Sequence, residues 1–506
     1  MPTINRWQQL VTTLYGRRMG FNPDNDLVVD GEVVATQARD SSGNITGLAG
    51  ANSSLIRLNG FAPATYIPLG DSRVAQGQAD ASVSSVQDQA RGWHVHLQTM
   101  LNGRLRQIRN AGTSGDTSAL MLARVQADVI AYAPGWCFLE GPINDIINGV
   151  ALATIQSNVK AIYGACTAAG IKFATGTISA WVNVNTGALR AAHAEYNRWV
   201  KAWCMANGIP CADEYSATAL ATTGLPTTNT YYDTPGHFSD LGAAMVARAW
   251  YNVLNPVIPQ NDFLTSMPYD YDNLVYNGAG GWTVGASLPT GWSDASSSAG
   301  SPTNSTVARA DYVQGSLMQT VGTAAAQGAI IGVSRTAKDD ISTTWAATTA
   351  YALGIRRVAN DGHQYVVTTA GTTGGSQPSW NSTIGATTTD GTVTWTRYVD
   401  FNVGDLCYAE AEYFLSGISG GNLGILPQMI AQAQGLSANV VVQGVTDQAT
   451  RVPPHPLAGG VLRSRNFTIP VGCTGYIMYV RAYMDNSVTA TLQIGRVAIK
   501  HAITST

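Results

Sequence analysis

The feature that most constrains this 506-residue chain is an alternation of strand and helix patterns between residues 64 and 256. Short apolar runs predict strands, and longer stretches between them have helical periodicity. The predicted strands are Ala64–Leu69, Gly135–Glu140, Ile171–Ile178 and Ile209–Ala212, and the predicted helices are Ser118–Ala127, Ala151–Ala168, Ala188–Met205 and Leu241–Leu254. Such alternation indicates right-handed βαβ crossovers and a parallel sheet with helices on both faces. In sheets of this kind, active sites lie at the carboxyl ends of the strands.

The pattern changes after Pro259. Short runs rich in Val, Thr, Tyr and Trp follow, separated by Gly, Asn, Asp and Ser, which is typical of an all-β sandwich or jelly roll. Residues 342–398 are unusually rich in Thr, Gly and Trp, and we interpret them as a small aromatic β module inserted in a loop. Met429–Leu436 is the one later run with helical character.

The predicted organisation therefore has four parts, because a chain of this length is too long for one core. Residues 1–60 are a lead segment with a possible role in attachment to a virion, and residues 61–258 form the α/β domain. Residues 268–341 and 399–503 form a jelly-roll domain of the carbohydrate-binding type, which residues 342–398 interrupt.

Composition excludes several function classes. Only 12% of the residues are charged and the net charge is −3, so the clustered basic face of a nucleic-acid-binding protein is not expected. No stretch reaches transmembrane length, and no signal-peptide pattern is visible. The six cysteines lack metal-ligand spacing, and His94 and His96 have no cysteine or carboxylate nearby. We therefore predict no metal and no cofactor, and place both histidines on a solvated helix face.

The first candidate for chemistry is the segment Tyr66–Arg73, in which an apolar run stops at Gly70-Asp71-Ser72. A serine at a strand-to-helix turn can be the nucleophile of an acyl-transfer enzyme, because backbone N–H groups there can stabilise a developing oxyanion. The tripeptide alone is a weak signal, since Gly, Asp and Ser are favoured in any turn.

Downstream segments supply the partners that such a serine needs. Asn110–Thr117 is a glycine-rich turn before a helix, and Gly115 lets the backbone approach a substrate closely. Asn144 follows an apolar strand, where its side-chain amide could donate to the same oxyanion. Asp233–Ser239 places His237 and a carboxylate on one loop before the last helix. A nucleophile, a base, an orienting acid and oxyanion donors thus occur in order along the chain.

Gly-Asp-Ser, Asn-x-Gly-x-Ser-Gly-Asp-Thr, Asn-Asp and a late Asp/His pair together resemble the SGNH (GDSL-like) hydrolase family over roughly residues 60–256. The resemblance implies a flavodoxin-like three-layer α/β fold and hydrolysis of esters, often acetyl esters on carbohydrates. It makes Ser72 the nucleophile, His237 the base and Asp233 the orienting acid. The backbone N–H groups of Ser72 and Gly115 and the amide of Asn144 would form the oxyanion hole.

The chain departs from the family pattern at two positions. Pro142 stands where the family usually has glycine, although Asn144 stays in register. Asp233 lies four residues before His237, whereas the family usually has three. Either the loop bulges by one residue at Pro235-Gly236, or another group orients the histidine.

The β-rich half suggests where the protein acts. Its inserted module resembles small aromatic modules of phage tail proteins, and residues 38–47 resemble a tail-fibre element. Aromatic rings stack on sugars, so Trp345, Trp380 and Trp395 are candidate glycan contacts; alternatively, they fill the core of a small module. We therefore expect an extracellular, cell-surface or virion-tail esterase that removes acetyl groups from a polysaccharide. A homotrimer, or assembly with other virion tail proteins, is compatible with this setting.

Two other functions compete with this interpretation. One is a glycan-binding adhesion or structural tail protein whose hydrolase domain is inactive, which the complete set of Ser, Gly, Asn and His positions disfavours. The other is a lipase or thioesterase, which the lack of a broad apolar lid segment disfavours.

Overall fold

The computed structural model describes residues 12–14, 17–21, 27–29, 32–39, 45–49, 65–78, 86–181, 187–228, 230–231, 236–259, 271–276, 282–309, 315–421, 423–436, 440–445 and 459–502. The described part of the lead segment is one five-stranded antiparallel sheet in the order β1-β2-β3-β4-β5. Its strands are β1 (Thr12–Leu14), β2 (Arg17–Phe21), β3 (Leu27–Val29), β4 (Glu32–Arg39) and β5 (Ile45–Ala49).

The α/β domain is built on a parallel sheet in the order β12-β11-β10-β6-β8, with β9 also paired to β6. The strands in this part of the chain are β6 (Thr65–Gly70), β7 (Val86–Gln89, outside this sheet), β8 (Arg106–Gln107), β9 (Ala111–Gly112), β10 (Trp136–Leu139), β11 (Lys172–Gly176) and β12 (Cys211–Ala212). If β8 and β9 count as one strand, the order is the 2-1-3-4-5 of doubly wound flavodoxin-like sheets. The predicted parallel sheet is confirmed.

Helices cover both faces of this sheet. They are α1 (Ser72–Ala75), α2 (Trp93–Met100), α3 (Ser118–Asp128), α4 (Ile143–Ile147), α5 (Leu152–Ala168), α6 (Gly187–Asn207), α7 (Glu214–Thr218) and α8 (Asp240–Leu254). Side chains of β6 and β10 alternate between two cores, one shared with α3, α5 and α6 and the other with α2 and α8. Both faces of these strands are therefore buried, which explains their continuous apolar sequence. None of the described helices is long and apolar enough to cross a membrane.

The β-rich half contains two larger sheets that share one hydrophobic core. Its strands are β13 (Trp292–Asp294), β14 (Thr303–Ala308), β15 (Ser316–Thr323), β16 (Ala329–Arg335), β17 (Asp339–Asp340), β18 (Ala350–Tyr351), β19 (Arg356–Val358), β20 (Gln364–Thr369), β21 (Gly371–Thr372), β22 (Thr387–Asp390), β23 (Val393–Arg397), β24 (Leu406–Ser419), β25 (Ile425–Gln434), β26 (Val440–Val445), β27 (Gly459–Arg463), β28 (Phe467–Thr468), β29 (Gly475–Met484) and β30 (Thr489–His501). One sheet runs β13-β16-β29-β25-β26-β7 and the other β14-β15-β30-β24-β27. Strands β18 to β23 form two small sheets with a core of their own. Antiparallel β-structure is confirmed, and the jelly-roll topology stays a prediction.

The helix predicted for Met429–Leu436 is wrong, because Ile425–Gln434 is strand β25. Met, Ala and Gln favour helices in isolation, but burial here alternates residue by residue. Met429, Ala431 and Ala433 point into the core, so the period is that of a strand.

One strand of the predicted α/β segment belongs to a sheet of the β-rich half. Strand β7 comes from the predicted α/β segment, yet it pairs in parallel with β26 of the sandwich. Asp88 on β7 forms a buried ion pair with Arg465, with Nε and Oδ1 2.6 Å apart. The α/β segment thus supplies a strand to the sheet of the second half.

His94 and His96 on α2 are buried rather than solvated, with exposed fractions of 0% and 3%. The inner face of α2 packs on the sheet and α8. Its outer side meets the sandwich, where the side-chain amide of Gln98 donates to the carbonyl of Arg463. Nδ1 of His94 lies 2.7 Å from Oε1 of Gln107, and Nε2 of His96 lies 2.7 Å from the carbonyl oxygen of Ala90, so both histidines contact other parts of the α/β segment. The prediction failed because the sequence does not show which segments pack against this helix.

Candidate active site

Ser72 lies at the carboxyl end of β6, where the strand turns directly into α1. Asp71 caps this helix, since its Oδ1 accepts a hydrogen bond from the backbone N–H of Arg73 at 3.0 Å. The turn requires glycine at position 70, because a Cβ there would lie 2.5 Å from Cγ2 of Val74. The helix has only four residues, so its contribution to an oxyanion is its backbone N–H groups rather than a long-helix dipole.

His237 lies against the serine. Its Nε2 atom is 3.0 Å from Oγ of Ser72, and both side chains are half-buried. A neutral imidazole with the proton on Nδ1 can accept the serine proton at this distance. Asp233, the predicted orienting acid, lies outside the described residues.

The predicted oxyanion donors lie around the same turn. Asn144 donates from Nδ2 to the backbone oxygen of Asp116 at 2.9 Å, and the same atom lies 3.4 Å from Oδ2 of Asp71. These partners are the chain neighbours of Gly115 and Ser72, so Asn144 bridges the two loops. Among the described residues, the backbone N–H groups of Ser72 and Gly115 find no acceptor. The Asn144 amide, by contrast, is engaged with Asp116 in this structure.

Gly115 has a left-handed backbone with φ of +81°, and its Cβ position is open space. A side chain at this position would be strained by the backbone conformation, although no neighbouring atom would obstruct it. The left-handed turn therefore favours glycine at this position.

Arg73, the residue after the serine, is a site component that the sequence analysis missed. It is 1% exposed and its Nη2 donates to the carbonyl of Gly141 at 2.6 Å. Its Nη1 donates to Oγ of Ser179 at 3.2 Å, and its Nε and Nη2 bond to Asp71. One side chain therefore ties together segments that follow β6, β10 and β11. The sequence signal that could have indicated this role is an arginine directly after a buried strand and its turn.

Three buried carboxylates surround this one cation: Asp71, Glu140 and Glu214, each 0% exposed. Burial raises the pKa of Glu140 well above its ordinary value, although Arg73 opposes the shift. Burial likewise raises the pKa of Glu214 to about 7. Burial lowers the pKa of Arg73, but Asp71 and Glu140 outweigh it and hold that pKa above its ordinary value. The cluster thus favours a charged arginine and protonated glutamic acids.

The predicted glycan contacts of the inserted module are largely core residues. Trp395 is 0% exposed and belongs to the core of the module, so its ring is not available for stacking on a sugar. Trp345 and Trp380 are half-buried and pack against this core. The indole N–H groups of Trp345 and Trp395 both donate to Asp390. The structure thus favours the alternative in which these rings fill a small module.

Comparison with known families agrees with the geometry. Residues 69–245 match the model of the GDSL-like Lipase/Acylhydrolase family. The match covers less than half of the chain. The matched residues include Ser72, Gly115, Asn144 and His237.

Solved structures similar to the chain include three hydrolases. A protein described as a lipolytic protein of the G-D-S-L family from Desulfitobacterium hafniense is 18% identical, with 38% of this chain and 99% of that chain covered and a TM-score of 0.32. A protein described as an acylhydrolase from Bacteroides fragilis is 18% identical, with coverage of 41% and 96% and a TM-score of 0.31. A mutant of an acetylxylan esterase from Geobacillus stearothermophilus is 20% identical, with coverage of 38% and 94% and a TM-score of 0.33. No curated protein matches the chain.

Proposed function

We propose that this GDSL-like hydrolase is a serine esterase that removes acetyl groups from a polysaccharide. The observation that carries the proposal is the 3.0 Å contact between Nε2 of His237 and Oγ of Ser72. The predicted oxyanion donors, the backbone N–H groups of Ser72 and Gly115 and the side-chain amide of Asn144, support acyl transfer as the reaction class.

The proposed reaction has two halves. Oγ of Ser72 attacks the acetyl carbonyl while Nε2 of His237 takes the serine proton, and the oxyanion accepts hydrogen bonds from Ser72 N–H, Gly115 N–H and the Asn144 amide. Collapse of the intermediate breaks the ester bond, and His237 returns the proton to the sugar oxygen. Water then attacks acetyl-Ser72 with His237 as base, which releases acetate and restores the serine.

A polymeric substrate is supported by the architecture. The hydrolase segment is joined to the β-rich half through β7 and α2, so a chain lying along the second half would be held at a fixed distance from Ser72. We also propose an extracellular or virion-tail location, which the resemblance of the inserted module and of residues 38–47 to tail elements supports.

The first test is turnover of p-nitrophenyl acetate by wild-type protein, Ser72→Ala and the control Ser157→Ala on the exposed side of α5. We expect Ser72→Ala to lose about 10⁴-fold or more in kcat, while Ser157→Ala keeps wild-type activity. Full activity in Ser72→Ala would remove Ser72 from the mechanism.

The substrate class needs separate experiments. An acyl series from acetyl to octanoyl should favour acetyl, and a preference beyond butyryl would indicate a lipase or thioesterase instead. Acetate release from acetylated bacterial surface polysaccharides, with Ser72→Ala as control, tests the polymer. Glycan binding without any ester hydrolysis would favour an adhesion protein.

A further inference from the structure

A second concave site lies beside the catalytic pair and does not include it. It is a pocket of about 350 Å³ between one side of α6 and the segment from Tyr215 to Leu225. This volume is at the lower end of the range for small-molecule sites and suits a single sugar ring.

The pocket wall on α6 is cationic. Arg190, Arg198 and Lys201 line it, and their spacing of eight and three residues places them on one face of the helix. Within the described part of the chain, no Asp or Glu lines the pocket. Lys201 is paired at its edge with Asp213, at 3.2 Å. Burial lowers the pKa of His193, which also lines the pocket, to about 4, so the positive charge at neutral pH comes from the other three residues.

The pocket shares a wall with the catalytic site. Trp181 lines it, and the ring of Trp181 lies 3.4 Å from the Cβ position of Gly236, the residue before His237. The guanidinium carbon of Arg73 lies 5.8 Å from the centroid of the same ring. On the α6 side, Oδ1 of Asn197 accepts a hydrogen bond from the backbone N–H of Ile178 at 2.8 Å. One strip of chain after β11 thus separates the pocket from Ser72 and His237.

We infer that this pocket binds the carboxylate-bearing sugar of an acidic polysaccharide, next to the acetylated residue that Ser72 attacks. The inference rests on the proposed esterase function and names its substrate class. Arginine guanidinium groups match the planar carboxylate of a uronic acid with paired hydrogen bonds, and Tyr215 and Leu225 offer apolar surface to the ring.

The test measures binding without requiring turnover. Ser72→Ala protein is titrated calorimetrically with oligogalacturonides and with uncharged xylo-oligosaccharides of equal length, at low salt and in 0.5 M NaCl. Arg198→Ala removes a pocket cation, and Arg248→Ala removes an exposed arginine on α8 outside the pocket as the matched control. Both are substitutions to the best helix former, so both helices should persist.

We expect the acidic oligomer to bind more tightly than the neutral one, with Kd raised about three- to fivefold by Arg198→Ala and unchanged by Arg248→Ala. High salt should weaken binding of the acidic oligomer only. In otherwise wild-type protein, Arg198→Ala should lower kcat/KM for acetylated oligogalacturonides through KM, relative to acetylated xylo-oligosaccharides. Equal binding of both oligomers, or equal effects of the two variants, would overturn the inference. Acidic binding without hydrolysis of any ester would instead count against the esterase proposal alone.

Discussion

Nη2 of Arg73 donates to the carbonyl oxygen of Gly141 at 2.6 Å, joining the turn that carries Ser72 to the loop that carries Asn144. The proposed nucleophile and a proposed oxyanion donor thus lie on segments that the same arginine connects. Because oxyanion stabilisation depends on preorganised geometry, this contact connects a buried side chain to the rate of the proposed reaction.

Arg73→Lys should keep a positive charge but lose the forked bonds to Asp71, Gly141 and Ser179. As a positioning change, it should lower kcat on p-nitrophenyl acetate about 10- to 100-fold and change KM little. Arg248→Lys on α8 is the control, and thermal unfolding checks that both variants fold. An unchanged kcat in folded Arg73→Lys would show that the arginine does not position the site.

Asn144→Ala removes the side-chain amide that donates to the backbone oxygen of Asp116 and lies 3.4 Å from Oδ2 of Asp71. Loss of one oxyanion donor should lower kcat about 100-fold or more while KM stays near the wild-type value. Asn148→Ala, at the exposed end of α4, is the matched control. If both variants retained wild-type kcat, Asn144 would have no part in the oxyanion hole.

Glu214→Gln should change how stability depends on pH. The folded-state pKa of Glu214 is about 7, so the folded protein retains its proton where the unfolded chain releases it. Stability from this group is therefore lost as pH rises from about 4.5 to about 7, by up to about 3 kcal/mol. The variant cannot ionise, and its side-chain oxygen can still accept from Nε1 of Trp250, now 2.8 Å from Glu214.

The free energy of unfolding of Glu214→Gln, minus that of wild type, should accordingly increase between pH 5 and pH 8. Three buried histidines, His94, His96 and His193, change the stability with pH in the opposite direction. Burial lowers the pKa of each to about 4, so their contribution to stability increases as the pH rises. Their effect is common to both proteins and cancels in the difference. Chemical denaturation of both proteins across this pH range gives the measurement, and a constant difference would contradict the prediction.

Asp88→Asn should weaken the connection between the two halves of the chain. Asp88 and Arg465 have side chains 2% and 8% exposed, so the substitution removes a buried negative charge that faces the Arg465 guanidinium. The expected loss is about 3–5 kcal/mol, part of which Asp88→Asn combined with Arg465→Met should restore. Lys201→Met, which breaks a pair with side chains 47% and 38% exposed, should cost less than about 1 kcal/mol. Equal losses in the two single variants would contradict a structural role for Asp88.

Local sequence pattern was sufficient to predict much of the secondary structure of the α/β segment. The predicted strands and helices at Ala64–Leu69, Ala151–Ala168 and Leu241–Leu254 are confirmed within a few residues. These elements are long or strongly apolar, so their period identifies them. Strands β8 and β9 were missed because each has only two residues.

The sequence by itself determined the order of the candidate groups, because Ser72, Gly115, Asn144 and His237 each sit in a recognisable local motif. Only the tertiary structure decided that the side chain of Arg73 is buried and bonds to Gly141 and Ser179. The burial of His94 and His96 also became visible only in the structure. The pairing of β7 with β26 was also decided by the tertiary structure, because it joins residues more than 300 positions apart in the sequence. Motifs and periodicity depend on residues that are close together in the sequence. Burial of a charge or a helix face depends on packing between distant segments, which no local pattern encodes.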